Sequence, residues 1–521
     1  MLVRPTANFL LSIAWLYFAS LSVSAQTSAP AQSSSPSNFD PKYEQYLSEG
    51  ATLMHEKHFS AAMGKFDQAL TVKPKSAHAL SLRARALNNL NRKDEALANV
   101  KKAMACEPKS VQPYLALATF SLKDKDVAKA RQYLAQAEKI EPHNYEVAGV
   151  VATCLTLEKK YKEALPYVNE SLSKHPQSHR FAQRAAIYRL LGDNKNALKD
   201  YDKAVSIEPR SAVYATERAT TYFHLGRLQE SLTEVNRALS LDPKYSMAYY
   251  IRANVEMVLK QIPRALTDLE KAISIEENGT FYFFRATIYE VERDRRLALK
   301  DLLKADKLNP NQAHIKFALS RVSHALLEPK PALQYINEAI KLEPKNAAHY
   351  EHRSQIYRMM MEYELSVADD TRAIEYAKEP PVNSLINRIR YYRATKKFDL
   401  ALKDQNRIIS YFPPGRVGLR EARAQIYMEK GDYVRAKEDL DAVVLKFPTD
   451  ANLSARARAS LNLKKLNEAL ADCNKAIVKQ PGMSSYYVLR ADIHKAMGKI
   501  QEAQKDLAAA KAADQANLPP R

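Results

Sequence analysis

Ten arginines in this 521-residue chain fall at one recurring position: Arg83, Arg184, Arg218, Arg252, Arg285, Arg353, Arg388, Arg423, Arg456 and Arg490. Sixteen residues after nine of them stands an acid: Asp200, Glu234, Asp268, Asp301, Asp369, Asp404, Asp439, Asp472 and Asp506; Arg83 has Asn99 instead. A planar guanidinium and a carboxylate form a two-pronged, charge-assisted pair. Where the arginine gives way to Leu117, Val151 or Leu319, the partner becomes Tyr133, Tyr167 or Tyr335, and Glu49 with Lys65 reverses the charges. Positions that switch together should touch, so these arginines are expected to hold structure rather than ligand.

Residues suited to catalysis are sparse. His55 and His58 share a helix face, but Glu56 does not complete a His-Glu-x-x-His metal motif. Asp369 beside Asp370 offers acid–base chemistry, yet Asp369 is already matched to Arg353. No phosphate-binding loop, dinucleotide fingerprint or nucleophile elbow occurs. Cys106, Cys154 and Cys473 fit neither a disulfide framework nor a zinc spacing. Neither an enzyme nor a cofactor or metal is expected.

The elements that position these residues repeat every 33 to 36 residues, fourteen times, with a proline closing twelve of the units from Pro74 to Pro481. Such a period marks a solenoid in which each unit packs on its neighbours. Eleven glycines are too few for many tight sheet turns, and Ala, Leu, Lys and Glu favour helix. With Tyr43 as position one, position eight is small in nearly every unit (Gly50, Ala84, Ala253, Ser354), and position twenty is always Ala or Ser (Ala62, Ala96, Ser231, Ser366). Close helix crossing requires small side chains, so these positions mark the crossing of an antiparallel hairpin with its turn near position fifteen. Positions seven and twenty-three then face each other across it.

Position twenty-four is usually large and apolar (Phe66, Leu134, Tyr201, Leu302, Leu507), and twenty-seven is usually Ala (Ala69, Ala103, Ala305, Ala476). With the closing proline, the pattern resembles the tetratricopeptide repeat over about nine-tenths of the chain. Tyr46, Tyr114, Phe181, Tyr249 and Tyr282 stand where that family has an early Trp. The resemblance implies an all-α fold, a right-handed superhelical solenoid of about fourteen antiparallel helix hairpins spanning residues 42–515, with 516–521 as a tail. It also implies that first helices line a groove for protein or peptide partners, faced by positions two, five, nine and twelve. Those positions nominate Tyr250, Asn254, Phe283, Thr287, Phe317, Arg321, Arg358, Arg390, Arg393 and Arg458, an aromatic strip edged by amides and guanidiniums that fits apolar anchors and acidic residues. The lysine–asparagine set with which chaperone-binding relatives grip a terminal carboxylate is not evident. Repeats ten and eleven are the least regular: Asp370 and Gln405 occupy the apolar position twenty-four, and Ile389 a small-residue site.

Residues 1–25 read as an export signal, with Arg4, an apolar run from Phe9 to Leu21, and small residues ending at Ala25. An uncleaved anchor through residues 7–25 is the alternative. Residues 26–41, rich in Ser, Pro, Ala and Gln, read as a flexible linker. The functional expectation is an exported, non-enzymatic scaffold holding protein or peptide segments at the cell envelope or beyond. The net charge of +20 keeps one alternative open, a basic solenoid that binds an anionic polymer such as nucleic acid or acidic polysaccharide. Against it, no run of five or more basic residues appears.

Overall fold

The computed structural model describes residues 40–379, 381–412 and 416–516. The expected signal, residues 26–39 of the linker, Pro380, Pro413 and residues 517–521 of the tail lie outside the described residues. Those described form 28 α-helices, from Pro41–His55 to Ile500–Ala516, and no strand. No described helix is long and apolar enough to cross a membrane. The chain divides between Ile288 and Tyr289 into two compact units. Within the two units the helices pair into thirteen hairpins, a first helix of about 13 residues and a second of about 14, as in Ala77–Asn89 with Lys93–Cys106; the helices Gly279–Val291 and Arg295–Leu308 follow the same order at the unit boundary. Helices this short are marginal alone, so packing sets their stability.

The connection between the two helices is alike in every repeat. The residue at position fifteen adopts the left-handed conformation in all fourteen, with φ from 58° at Lys396 to 84° at Gly431. Only four of these residues are glycine; the others include Lys57, Asn91, Leu327 and Met361. A side chain there costs about 1–2 kcal/mol relative to the right-handed region. The amide of position sixteen then donates to the carbonyl of position eleven, as in His58 to Leu53 and Arg92 to Leu87. Asp126, Asp193, Asp294 and Asp432 cap the second helix straight after the turn.

Positions eight and twenty meet as expected. Where they are hydroxylic they bond across the crossing: Ser231 donates to the Ala219 carbonyl at 2.8 Å, Ser320 to that of Ala332 at 2.7 Å, and Ser354 lies 3.0 Å from Ser366. A Cβ on Gly50 would stand 2.5 Å from the buried Phe66 ring, and overpacking of that kind costs about 1–3 kcal/mol. Phe66, Leu134, Tyr201 and Leu302, at position twenty-four, are fully buried. Cys154 and Cys473 are buried as well, and Cys106 is half-buried.

Candidate functional site

The recurrent arginines bridge repeats as well as hairpins. Arg353 Nε and Nη2 donate to both Asp369 oxygens at 2.6 and 2.8 Å, while Nη1 donates to Asn337 of the preceding repeat at 2.7 Å. Arg184 does the same with Asp200 and Asn169, Arg252 with Asp268 and Asn236, and Arg423 with Asp439 and Asn406. Arg218, Arg388, Arg456 and Arg490 follow with Glu234, Asp404, Asp472 and Asp506. Arg83 reaches Asn99 in its own hairpin and Asp67 in the one before, and Glu49 pairs with Lys65. The acceptor from the preceding repeat sits at position twenty-five. That position also switches: Lys101 precedes Leu117, Ala135 precedes Val151, and Leu303 precedes Leu319. In the repeat of Leu319, Lys316 takes over the bridge, pairing with Asp306 at 2.8 Å and Glu338 at 2.7 Å. Guanidiniums held by two acceptors are not available to a ligand.

The row of first helices differs between the units. In repeats two to six, positions five and nine do not line an open groove. Ser81, Leu115, Gly149, Ala182 and Thr216 are buried, as are Arg85, Thr119, Thr153, Ala186 and Thr220. Apart from Leu115 and Arg85 these side chains are small, which lets successive first helices close on each other. Gln183 donates to the Gly149 carbonyl and to Thr153 Oγ1, both at 2.9 Å, and a Cβ on Gly149 would run into the Arg180 guanidinium. A buried ion pair, Arg189 to Glu217 at 2.5 Å, seals the next junction.

In the second unit position nine carries long polar side chains. Arg321, Gln355, Arg390, Gln425 and Arg458 are all exposed. The same register that is filled in repeats two to six is therefore open in repeats nine to thirteen.

The nominated residues fall into both units. In the first, the Tyr250 ring is half-buried against Phe281 and Phe284, with centroids 5.3 and 5.5 Å away. Asn254 donates to the Tyr250 carbonyl, Thr287 to that of Phe284, and Phe283 is half-buried. In the second unit Phe317 packs on His349 and His352 at 5.1 and 5.4 Å. These rings thus serve largely as packing between neighbouring repeats. Burial drives His352 down to about 4, so it is neutral at physiological pH. Arg321 contacts Glu290 at 3.1 Å, and Arg358 donates to Ser354 Oγ at 3.1 Å. Arg390 and Arg393 line one hollow of about 490 Å³ together with Ala394, Lys396, Phe398 and Glu429. Among the described residues, no group of three or more His, Cys, Asp or Glu could hold a metal ion.

Tetratricopeptide repeat family models match residues 121–186, 180–211, 214–245, 421–484 and 484–517. The chain is a multi-repeat tetratricopeptide protein. This tetratricopeptide chain is 27% identical over 153 residues to the DnaJ homolog subfamily C member 7 homolog of Dictyostelium discoideum, covering 29% of this chain and 24% of that protein. It is 29% identical over 85 residues to the Hsp70-Hsp90 organizing protein of Triticum aestivum, 16% of this chain and 15% of that one. The match thus spans about a quarter or less of these relatives' length. Among solved structures, YrrB, described as a TPR protein with an unusual peptide-binding site, aligns with 34% of this chain and 91% of its own at 23% identity and TM-score 0.31. The Cut9–Hcn1 structure aligns with 86% of this chain and 96% of its own at 14% identity and TM-score 0.37.

Proposed function

We propose that this tetratricopeptide chain is an exported, non-enzymatic scaffold that holds a protein or peptide partner along the first helices of repeats nine to thirteen. One observation carries the reading: position nine is filled by buried small or paired side chains in repeats two to six and by exposed arginine or glutamine in repeats nine to thirteen. Arg321 touches Glu290 of the preceding repeat yet stays exposed, and the other long polar side chains of the row offer hydrogen bonds and charge pairing to a partner. Relatives named for organizing Hsp70 and Hsp90 are consistent with a role in holding other proteins. Export rests on the basic, apolar and small-residue succession of residues 1–25. The anionic-polymer reading has less support, because eight position-seven arginines are tied to their carboxylates and are not free cations.

The test uses the chain recovered from its own compartment, whose first residue is expected to be Gln26. Binding to immobilised peptides that mix Leu, Phe and Glu should persist in part at high salt. It should fall about tenfold or more when Arg321 and Arg458 become Glu, by loss and reversal of two contacts each worth about 1 kcal/mol or more. Equal binding by this variant, or binding only to nucleic acid with steep salt dependence, overturns the reading.

A further inference from the structure

The hollow in repeat eleven already contains a carboxylate, and it belongs to the chain itself. Arg393, on the first helix Val382–Ala394, donates through Nε to Glu429 Oε2 at 2.9 Å and through Nη2 to Oε1. Glu429 comes from the first helix of the next repeat, Val417–Lys430. This hydrogen bonding from Arg393 holds the Glu429 carboxyl below its ordinary range, so it is ionised at neutral pH. Two further cations line the same hollow. Arg390 is exposed, and Lys396 stands on the left-handed turn at φ 58°. Neither side chain has a hydrogen bond or ion pair among the described residues. Phe398 supplies an aromatic wall. Three cations thus surround one carboxylate, and the space between them is open.

We infer that this hollow is the acidic subsite of the partner surface, and that Glu429 is a built-in competitor for it. The occupant is a segment of a partner protein carrying Glu or Asp side chains. Its first carboxylate pairs with Arg390 and Lys396, neither of which has an ion pair among the described residues. A second takes the Arg393 fork from Glu429. Planar guanidiniums favour carboxylates in this two-pronged way. The Glu429 pair is about one-third exposed on both sides, so it is weak enough to be displaced. The inference rests on the reading of repeats nine to thirteen as the partner surface, and adds which chemistry binds there and what restrains it.

The experiment measures fluorescein-labelled hexaglutamate binding to the full chain by anisotropy at low salt. Glu429→Gln should tighten binding about two- to fivefold, the worth of removing one exposed competing pair. Arg390→Ala with Lys396→Ala should weaken it about tenfold, with helix content and thermal midpoint unchanged because both side chains are exposed and neither has a hydrogen bond or ion pair among the described residues. Unlabelled inorganic phosphate should compete poorly. The inference is overturned if Glu429→Gln binds no more tightly, if the double variant binds as wild type, or if phosphate displaces the probe as well as free glutamate peptide does. A hexaglutamate result that fails while Arg321 and Arg458 still govern peptide capture removes the subsite alone. Loss of both removes the surface.

Discussion

Arg353→Ala is expected to destabilise the chain by about 3–5 kcal/mol, the cost of leaving one member of a buried ion pair without its partner. The pair is shielded from water: the Arg353 side chain is 13% exposed and that of Asp369 2%. The value should lie toward the lower end, because Arg372 Nη1 stands 3.7 Å from Asp369 and inherits part of the charge. The loss also opens a junction between repeats, since Asn337 loses its donor. The chain contains its own remedy. Repeat nine has Leu319 and Tyr335 where repeat ten has Arg353 and Asp369, and repeat eight has Leu303 where repeat nine has Asn337. The triple change Arg353→Leu, Asp369→Tyr and Asn337→Leu should therefore recover part of the loss, because replacing a buried ionic set by apolar groups is often neutral, although Tyr350 stands where repeat nine has the bridging Lys316. Repeat arrays do not unfold as one two-state body, so the readout is hydrogen exchange of the amides in 347–376 alongside the urea midpoint. A single variant within 1 kcal/mol of wild type would show the pair to be no more than a surface contact.

The second large effect depends on pH. Asp370 occupies a position that most other repeats fill with an apolar side chain, and is 1% exposed. Its Oδ2 has no hydrogen-bond partner, and Arg358 Nη1 stops 3.8 Å away. Burial pushes the carboxyl up to about 6, against the lowering effect of Ser354, Ser384 and Arg358. The folded chain therefore takes up this proton at higher pH than the unfolded chain, whose value is about 3.9. Its contribution is fully present below about pH 4 and is lost as pH rises through about 6. Asp370→Asn removes the titration while keeping the shape. At pH 8 the variant should be about 2–3 kcal/mol more stable than wild type. The gap should close toward pH 4. His352, driven down to about 4 by burial, titrates in both chains and cancels in the difference. A gap that does not vary between pH 8 and pH 4 contradicts a buried, charged Asp370.

The hairpin was legible because its determinants are local and recur: small residues at the crossing, a large apolar residue at position twenty-four, and an arginine matched to an acid sixteen residues on. The bond from Arg353 to Asn337 was equally available, since position twenty-five changes whenever the next arginine does. It runs backward into another repeat, where hairpin arithmetic does not look. The handedness of the turn was less legible, because Lys57, Leu327 and Met361 adopt a conformation that composition alone would assign to glycine. The site was legible only as a register. Tyr250, Phe283 and Phe317 share position five, but Phe281, Phe284, His349 and His352 decide their burial from other positions. The contrast that separates a closed row from an open one lies at position nine, from the buried Thr119, Thr153 and Thr220, with Arg85 long yet also buried, to the exposed Arg321, Arg390 and Arg458. Each residue is unremarkable alone, and its burial depends on how closely the neighbouring first helix approaches.

The most direct measurement is a hydrogen-exchange and cross-linking footprint of the chain with a partner captured from its own compartment. The account places protection and cross-links on the first helices between 313 and 462, including the hollow at Arg390, with repeats two to six unchanged. A footprint on residues 77–224, or on the second helices alone, contradicts it.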